Sequence, residues 1–211
     1  MAQCPTLTRE RRLLAHGFRY IAGLDEAGRG AWAGPVVAAT VILPLRGKIE
    51  AGPPEEFRGI RDSKLLSPHR REELFDVIRE RARMVGVGVV GPRGIDAQGI
   101  VPATRQAMQT ALARLEVAPD YLLIDYLPLP EVDVPQKAIA HGDRLCLSIA
   151  AASIIAKVHR DRLMVEFDGR FPGYGFAQHK GYGTPAHRRA LSQLGPSPIH
   201  RLSWAPCRRL T

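Results

Sequence analysis

The chain has 211 residues, 45% of them hydrophobic and 24% charged, a length that supports one sizeable core and favours a single domain with at most a small appendage. No apolar run reaches the roughly 20 residues a bilayer crossing needs, and "MAQCPTLTRERRLLAHG" lacks a signal-peptide core, so a soluble cytoplasmic protein is expected. The formal net charge of +9 favours polyanionic partners, although stretches such as "SPHRREELFDVIRERAR" would also serve as a solvated helix face.

Residues 19–25 and 36–43 read as buried strands separated by a glycine-rich turn, and 46–61, rich in Gly, Pro and charge, as a surface loop. Ser67 then reads as an N-cap with Pro68 at the first helical position, opening a helix to about Arg83. "MVGVGVVGP" at 84–92 returns to a strand, and a second helix is predicted over 102–116. "YLLIDY" at 121–126 and "QKAIAH" at 136–141 are short strands, and 148–167 is a long alanine-rich helix suited to close packing on a sheet. In the tail, Thr184 reads as an N-cap, Pro185 as the first helical residue and Gly195 as the stop. The pattern is α/β with a mainly helical C-terminal extension. Cys4, Cys146 and Cys207 are odd in number and lack any CxxC spacing, which argues against a disulfide frame or a zinc ribbon.

Three places bring a hydrophobic strand, or its exit, to a carboxylate: Asp25 with Glu26, Asp125 in "LLIDY", and Asp143 in "IAHGDRL". Ligands of open α/β sheets collect beyond the carboxyl ends of strands. Carboxylates gathered there repel one another unless a cation is bound, and hard oxygen donors suit Mg²⁺ or Mn²⁺. Adjacent strand residues point to opposite faces, so Asp25 and Glu26 can share a site only if the strand stops there; "AGRG" supplies that stop. A single strand-end aspartate ordinarily caps a turn, so the pattern alone leaves a metal site and capping both open. The turn "GRGAWAG" gives GxGxxxG, and its acids precede the glycines, which disfavours a dinucleotide site.

The ordered set "GLDEAGRG…GPVVAA", "RDSKLLS", "LLIDY", "HGD", "SIAAASIIAKVHRDRLM", "GYGFAQHKGYGTPAH" and "GPSPIHRLSW" resembles bacterial ribonuclease HII from about residue 20 to residue 206. The resemblance implies a ribonuclease H-like fold: a five-stranded mixed β-sheet flanked by helices. It also implies endonucleolytic cleavage of the RNA strand of RNA–DNA hybrids and nicking of duplex DNA at embedded ribonucleotides, with two divalent ions, Mg²⁺ or Mn²⁺. The family's metal ligands and catalytic acids fall on Asp25, Glu26, Asp125 and Asp143. Its turn that reads the ribose 2′-hydroxyl falls on Gly28, Arg29 and Gly30, and its tyrosine against the following deoxyribose on Tyr182. Lys64 and Lys180 resemble substrate-phosphate contacts. The implied organisation is an N-terminal segment over 1–17, a catalytic domain over 18–167 and a substrate-binding extension over 168–211. A monomer with no membrane partner is expected, with a replication clamp as a further candidate partner on which the residues are silent. Ribonuclease HIII is the nearest rival, but the short stretch before Asp25 leaves no room for its long N-terminal extension. A catalytically silent hybrid binder would be favoured by an incomplete acid set, and all four positions are filled.

Departures from the family pattern are Ala31 and Trp32 in the turn, Tyr126 in place of glycine, Gly99 in place of asparagine, His141 in place of lysine and His159 in place of threonine. Trp32 is expected to fill core. Asp161 is expected to pair with Lys157 on one helix face and Asp62 to serve loop structure; the implied chemistry requires none of His179, His187 and His200 as an acid–base group, and His187 and His200 are expected to be structural.

Overall fold

Alternating apolar strands and amphipathic helices assemble into a five-stranded mixed sheet with helices on both faces, seen in a computed structural model that describes residues 4–45 and 54–208. Part of the expected loop 46–61, residues 46–53, and the end of the tail "CRRLT", residues 209–211, lie outside the described residues. Helix α1 (Thr8–Ala15) precedes β1 (Ile21–Ala27) and β2 (Val36–Ile42), then α2 (Pro68–Arg81), β3 (Met84–Val90), α3 (Pro92–Gln98) and α4 (Ile100–Ala113). After β4 (Tyr121–Asp125) and β5 (Gln136–Ile139) come α5 (Leu147–Arg170), α6 (Phe176–His179), α7 (Pro185–Leu194) and α8 (Ala205–Arg208).

The sheet order is β3-β2-β1-β4-β5, antiparallel from β3 to β1 and parallel from β1 to β5. On one face β1 and β2 pack through Ala27, Ala39 and Val41 against α5 and, beyond it, α2; on the other, Ala22, Leu24, Val36 and Ala38 pack against α4. Glycine sets how closely the helices approach. A β-carbon on Gly23 would lie 2.2 Å from the Ser148 carbonyl carbon, so α5 crosses β1 with its own backbone in contact. Gly23→Ala is therefore expected to push α5 off the sheet and cost about 3 kcal/mol, read as a lower denaturation midpoint; an unchanged midpoint would show that the helix yields freely. The N-terminus of α5 is held by Glu10 of α1, whose buried Oε1 accepts from the Ser148 amide at 3.0 Å and its hydroxyl at 2.7 Å.

Boundaries move where turn chemistry overrides periodicity. α4 begins at Ile100, two residues before the expected start, with Pro102 in its first turn, where a missing N–H breaks no helical bond. α3 begins at Pro92 directly after Gly91, the proline opening a helix that strand periodicity hid. β5 ends at Ile139, short of the expected His141, which takes a left-handed φ of 55°. α5 runs unbroken through residue 167 to Arg170. Both expected caps form: Ser67 Oγ accepts from the Arg70 amide and Thr184 Oγ1 from the His187 amide. Among the described residues the three cysteines are free thiols, and no helix is long and apolar enough to cross a membrane.

Candidate active site

The register of two parallel strands builds the centre of the site. Leu24 of β1 stands beside Ile124 of β4, so Asp25 and Asp125 follow one step later on neighbouring strands, at the same end of the sheet. β1 does not stop at the acids, as the turn motif led one to expect; it runs on to Ala27, with Asp25, Glu26 and Ala27 paired to Ala39, Ala38 and Val37. Glu26 still shares the field of Asp25 and Asp125, β4 ending at Asp125 on the parallel side of β1. β4 can end there because Tyr126 takes a φ of 57°, the left-handed conformation in which glycine is at ease. Asp143 arrives on a 3₁₀ turn, Gly142–Arg144, instead of directly from a strand. The Gly142 amide donates to Asp125 Oδ1 at 2.7 Å and fastens that turn to β4.

Crowding shows in the acid strengths. Burial, then the charges of Glu26, Asp125 and Asp143, pushes the Asp25 carboxyl well above the usual carboxylate range. Burial also raises Glu26, although Arg29 opposes it through an ion pair at 3.1 Å. Burial raises Asp125 against the Gly142 amide, and burial with Asp62 and Asp125 pushes Asp143 up to about 6. Asp62, expected only to shape its loop, caps the turn by accepting from the Lys64 amide at 3.0 Å, and it also faces the acids. Arg144 pairs with it at 3.2 Å, and against burial these donors hold its carboxyl low. Lys64 stays charged: burial would lower its pKa, but Asp62, Asp25, Asp143 and Asp125 raise it.

Among the described residues no three His, Cys, Asp or Glu side chains already form a cage around a single point. The donor set nevertheless fits divalent cations on two observations. Every donor is a hard oxygen, and Glu26 Oε2 is buried with no hydrogen-bond partner. Asp25, Glu26, Asp125 and Asp143 are the residues that would hold such ions.

The glycine turn lies over two arginines that sequence reasoning missed. Arg160 of α5 and Arg201 of the C-terminal segment are fully buried, and both bind main-chain carbonyls of the turn region. Basic residues are expected on surfaces, so the available signal was only their place within "KVHRDRLM" and "IHRLSW". Tyr182 stands over Arg160 at 5.3 Å and Lys157 at 5.9 Å, and the Lys180 ammonium donates to the Ala177 carbonyl. Among the described residues neither forms a hydrogen bond or ion pair with the four acids. Their segment joins the turn because the Trp32 and Ala33 amides both donate to the Gly181 carbonyl, at 2.8 and 3.3 Å. Trp32, expected in the core, is half-buried instead; its ring lies 5.5 Å from His187 and would lie 2.2 Å from a β-carbon on Gly183. Lys157 and Asp161 pair at 2.6 Å as expected. Gly99 has a φ of 86° between α3 and α4, a conformation that side-chain-bearing residues rarely adopt.

Comparison with known proteins decides the family. The Ribonuclease HII family model matches residues 22–207. The chain belongs to the ribonuclease HII family. Over 209 residues it is 53% identical to the Ribonuclease HII of Dehalococcoides mccartyi strain 195, covering 99% of this chain and 97% of that one. Among solved structures, the ribonuclease H2 of Pyrococcus horikoshii OT3 superposes with a TM-score of 0.75 at 27% identity, over 91% of this chain and 97% of that one. The ribonuclease HII in a PCNA complex from Archaeoglobus fulgidus gives 0.73 at 31% identity, over 88% of this chain and 95% of its own. The family is one of endoribonucleases of ribonuclease H type.

Proposed function

We propose that this protein is a metal-dependent endoribonuclease that hydrolyses the RNA strand of RNA–DNA hybrids and nicks duplex DNA at embedded ribonucleotides, leaving 5′-phosphate and 3′-hydroxyl ends. The observation that carries the reading is the cluster of buried acids around Asp25, short of positive charge, in a chain of this family. Divalent ions, Mg²⁺ or Mn²⁺, supply Lewis-acid activation of water and neutralise charge on the departing oxygen when bound. Asp25, Glu26, Asp125 and Asp143 would hold them, and the cations would offset the burial, and with it the repulsion among the acids, that raises their pKa values. The Arg29–Glu26 pair and the Gly142–Asp125 hydrogen bond orient two of these carboxylates. Lys64, kept cationic by the surrounding acids, is placed to receive a phosphate oxygen.

Substrate discrimination falls to the turn and to Tyr182. Gly28 has a φ of 94°, and a β-carbon there would lie 2.0 Å from Arg160 Nε. A β-carbon on Gly30 would meet nothing within 4 Å, so no packing demand explains that glycine; its bare backbone leaves room for a sugar to approach. The segment after α5 contributes to binding through Tyr182 and Lys180. The enzyme is read as a cytoplasmic monomer acting in ribonucleotide removal and RNA primer processing.

The test supplies duplex DNA with one internal ribonucleotide, with and without Mg²⁺ or Mn²⁺, and maps the nick; cleavage without metal, or no cleavage with either ion, would overturn the reading. Tyr182→Ala is expected to slow incision at a single ribonucleotide by roughly 10-fold while affecting long hybrids less. Equal losses on the two substrates would remove its role at the junction.

A further inference from the structure

We infer that Arg201, braced by Arg160, is a positioning residue that turns the backbone amides of Arg29 and Gly30 outward to meet the ribose and phosphate of the substrate. The inference rests on the reading of the turn given above and names what sets its conformation. Arg201 donates from Nη2 to the Gly28 carbonyl at 2.6 Å, from Nη1 to the Arg29 carbonyl at 2.8 Å, and from Nε and Nη2 to the Gly34 carbonyl at 3.1 and 3.0 Å. One guanidinium thus collects carbonyls from both ends of the turn. Its own amide donates to the Trp32 carbonyl at 2.9 Å, and the Gly34 amide donates to the Ile199 carbonyl at 2.8 Å, so strand-like bonds fix the segment that carries it.

The consequence for the turn follows from peptide geometry. Every described peptide bond is trans, and a planar trans peptide sets its C=O and the following N–H on opposite sides. The Gly28 carbonyl drawn toward Arg201 therefore sends the Arg29 amide the other way, and the Arg29 carbonyl does the same for the Gly30 amide. Gly30 is exposed, so the outward side is open. Two adjacent N–H groups on an exposed turn form an anion- and hydroxyl-binding concavity.

Arg160 supports the same surface from α5. It donates to the carbonyls of Pro35 at 2.9 Å, Ala33 at 3.1 Å and Lys180 at 2.9 Å. It thereby ties the turn to the segment bearing Tyr182, and the two reading elements share one brace. Both guanidinium groups are fully buried, and among the described residues neither forms an ion pair with a carboxylate. A role in packing alone would be better filled by a neutral side chain, because a buried charge pays a heavy desolvation cost. Carbonyls satisfy the donors here and leave the positive charge uncancelled beneath a phosphate-binding turn.

The experiment compares two duplexes of one sequence, one all DNA and one with a single ribonucleotide, bound in the presence of Mn²⁺ by the Asp125→Asn protein, which is expected not to turn them over. That parent should prefer the ribonucleotide duplex; no preference would overturn the reading of the turn and this inference with it. In the Asp125→Asn/Arg201→Met protein the preference should fall ~10-fold, about one hydrogen bond's worth, with all-DNA affinity changed less than ~3-fold. Arg201→Lys keeps the charge but not the fork, and should lose the preference equally. Unchanged preference in a folded Arg201→Met protein, equal losses on both duplexes, or full rescue by lysine would each overturn the inference while leaving the function standing. If Arg201→Met does not fold, hydrogen exchange in the parent decides. Protection of the Arg29 and Gly30 amides should rise with the ribonucleotide duplex and not with all DNA, and equal protection by both would overturn the inference.

Discussion

Asp25→Asn is expected to lower cleavage at least ~10³-fold and, at the same time, to raise the melting temperature of the metal-free protein. The first effect follows because Asp25 lies at the centre of the acid cluster, and a neutral amide holds divalent cations poorly. The second follows from the same burial. Asp25 is raised well above its ordinary pKa by burial and by three neighbouring acids, whereas the unfolded chain ionises it freely. Near neutral pH the fold must therefore crowd a charge or bind a proton; either choice destabilises it, and that cost disappears as the pH falls below the ordinary carboxylate range. Asparagine keeps the shape and the acceptor for the Glu26 amide, a 2.6 Å bond in the wild type, without the charge. Each kcal/mol recovered should raise the melting temperature by ~2–4 °C for a chain of this size. Adding Mn²⁺ should stabilise the wild type strongly and the variant little. A variant that melts lower than the wild type in the absence of metal would show that these acids are not in conflict.

This pairing of lost activity with gained stability explains which parts of the site could be read from the sequence. The grouping of Asp25, Glu26, Asp125 and Asp143 was legible because a carboxylate at the end or exit of an apolar strand breaks a local rule. The caps at Ser67 and Thr184 were legible because capping is local chemistry. Asp62 was not, because its link to Asp143 crosses more than eighty residues of sequence. The continuation of β1 past Glu26 was hidden by glycines, which permit a turn but do not require one. Arg160 and Arg201 were hidden more completely: an arginine solvated by carbonyls needs no charged partner, so nothing in the sequence marks it as buried. The displacement of Trp32 from the core has the same origin, since its contacts with Gly183 and His187 come from a segment more than 150 residues away.

Acid is expected to destabilise the fold through the C-terminal histidines, and the hydrogen-bond chain gives the reason. The Ser197 amide donates to His200 Nδ1 at 2.8 Å, which places the His200 proton on Nε2, facing His187 Nε2 at 3.0 Å. His187 then donates from Nδ1 to the Tyr182 carbonyl at 3.0 Å. Each ring uses both nitrogens in its neutral form, and a further proton would set N–H against N–H. Burial, reinforced by neighbouring histidines, pushes both pKa values down to about 4. The unfolded chain takes up these protons near pH 6.5 and the folded chain does not, so the stability is complete above that value and drains away toward pH 4. At ~1.4 kcal/mol per pH unit per site, the pair would lose several kcal/mol across the window. The raised carboxylates shift stability in the opposite direction, so the measurement is a difference: denaturation midpoints at pH 7.5 and pH 4.5 for the wild type and for His200→Gln, which share those acids. The wild type should lose more than the variant by at least about 1 kcal/mol, since only it retains the full chain. Parallel losses would acquit the histidines. Because the chain ends on the carbonyl of Tyr182, acid should also loosen that residue, and preference for a ribonucleotide junction should fade before cleavage of long hybrids does.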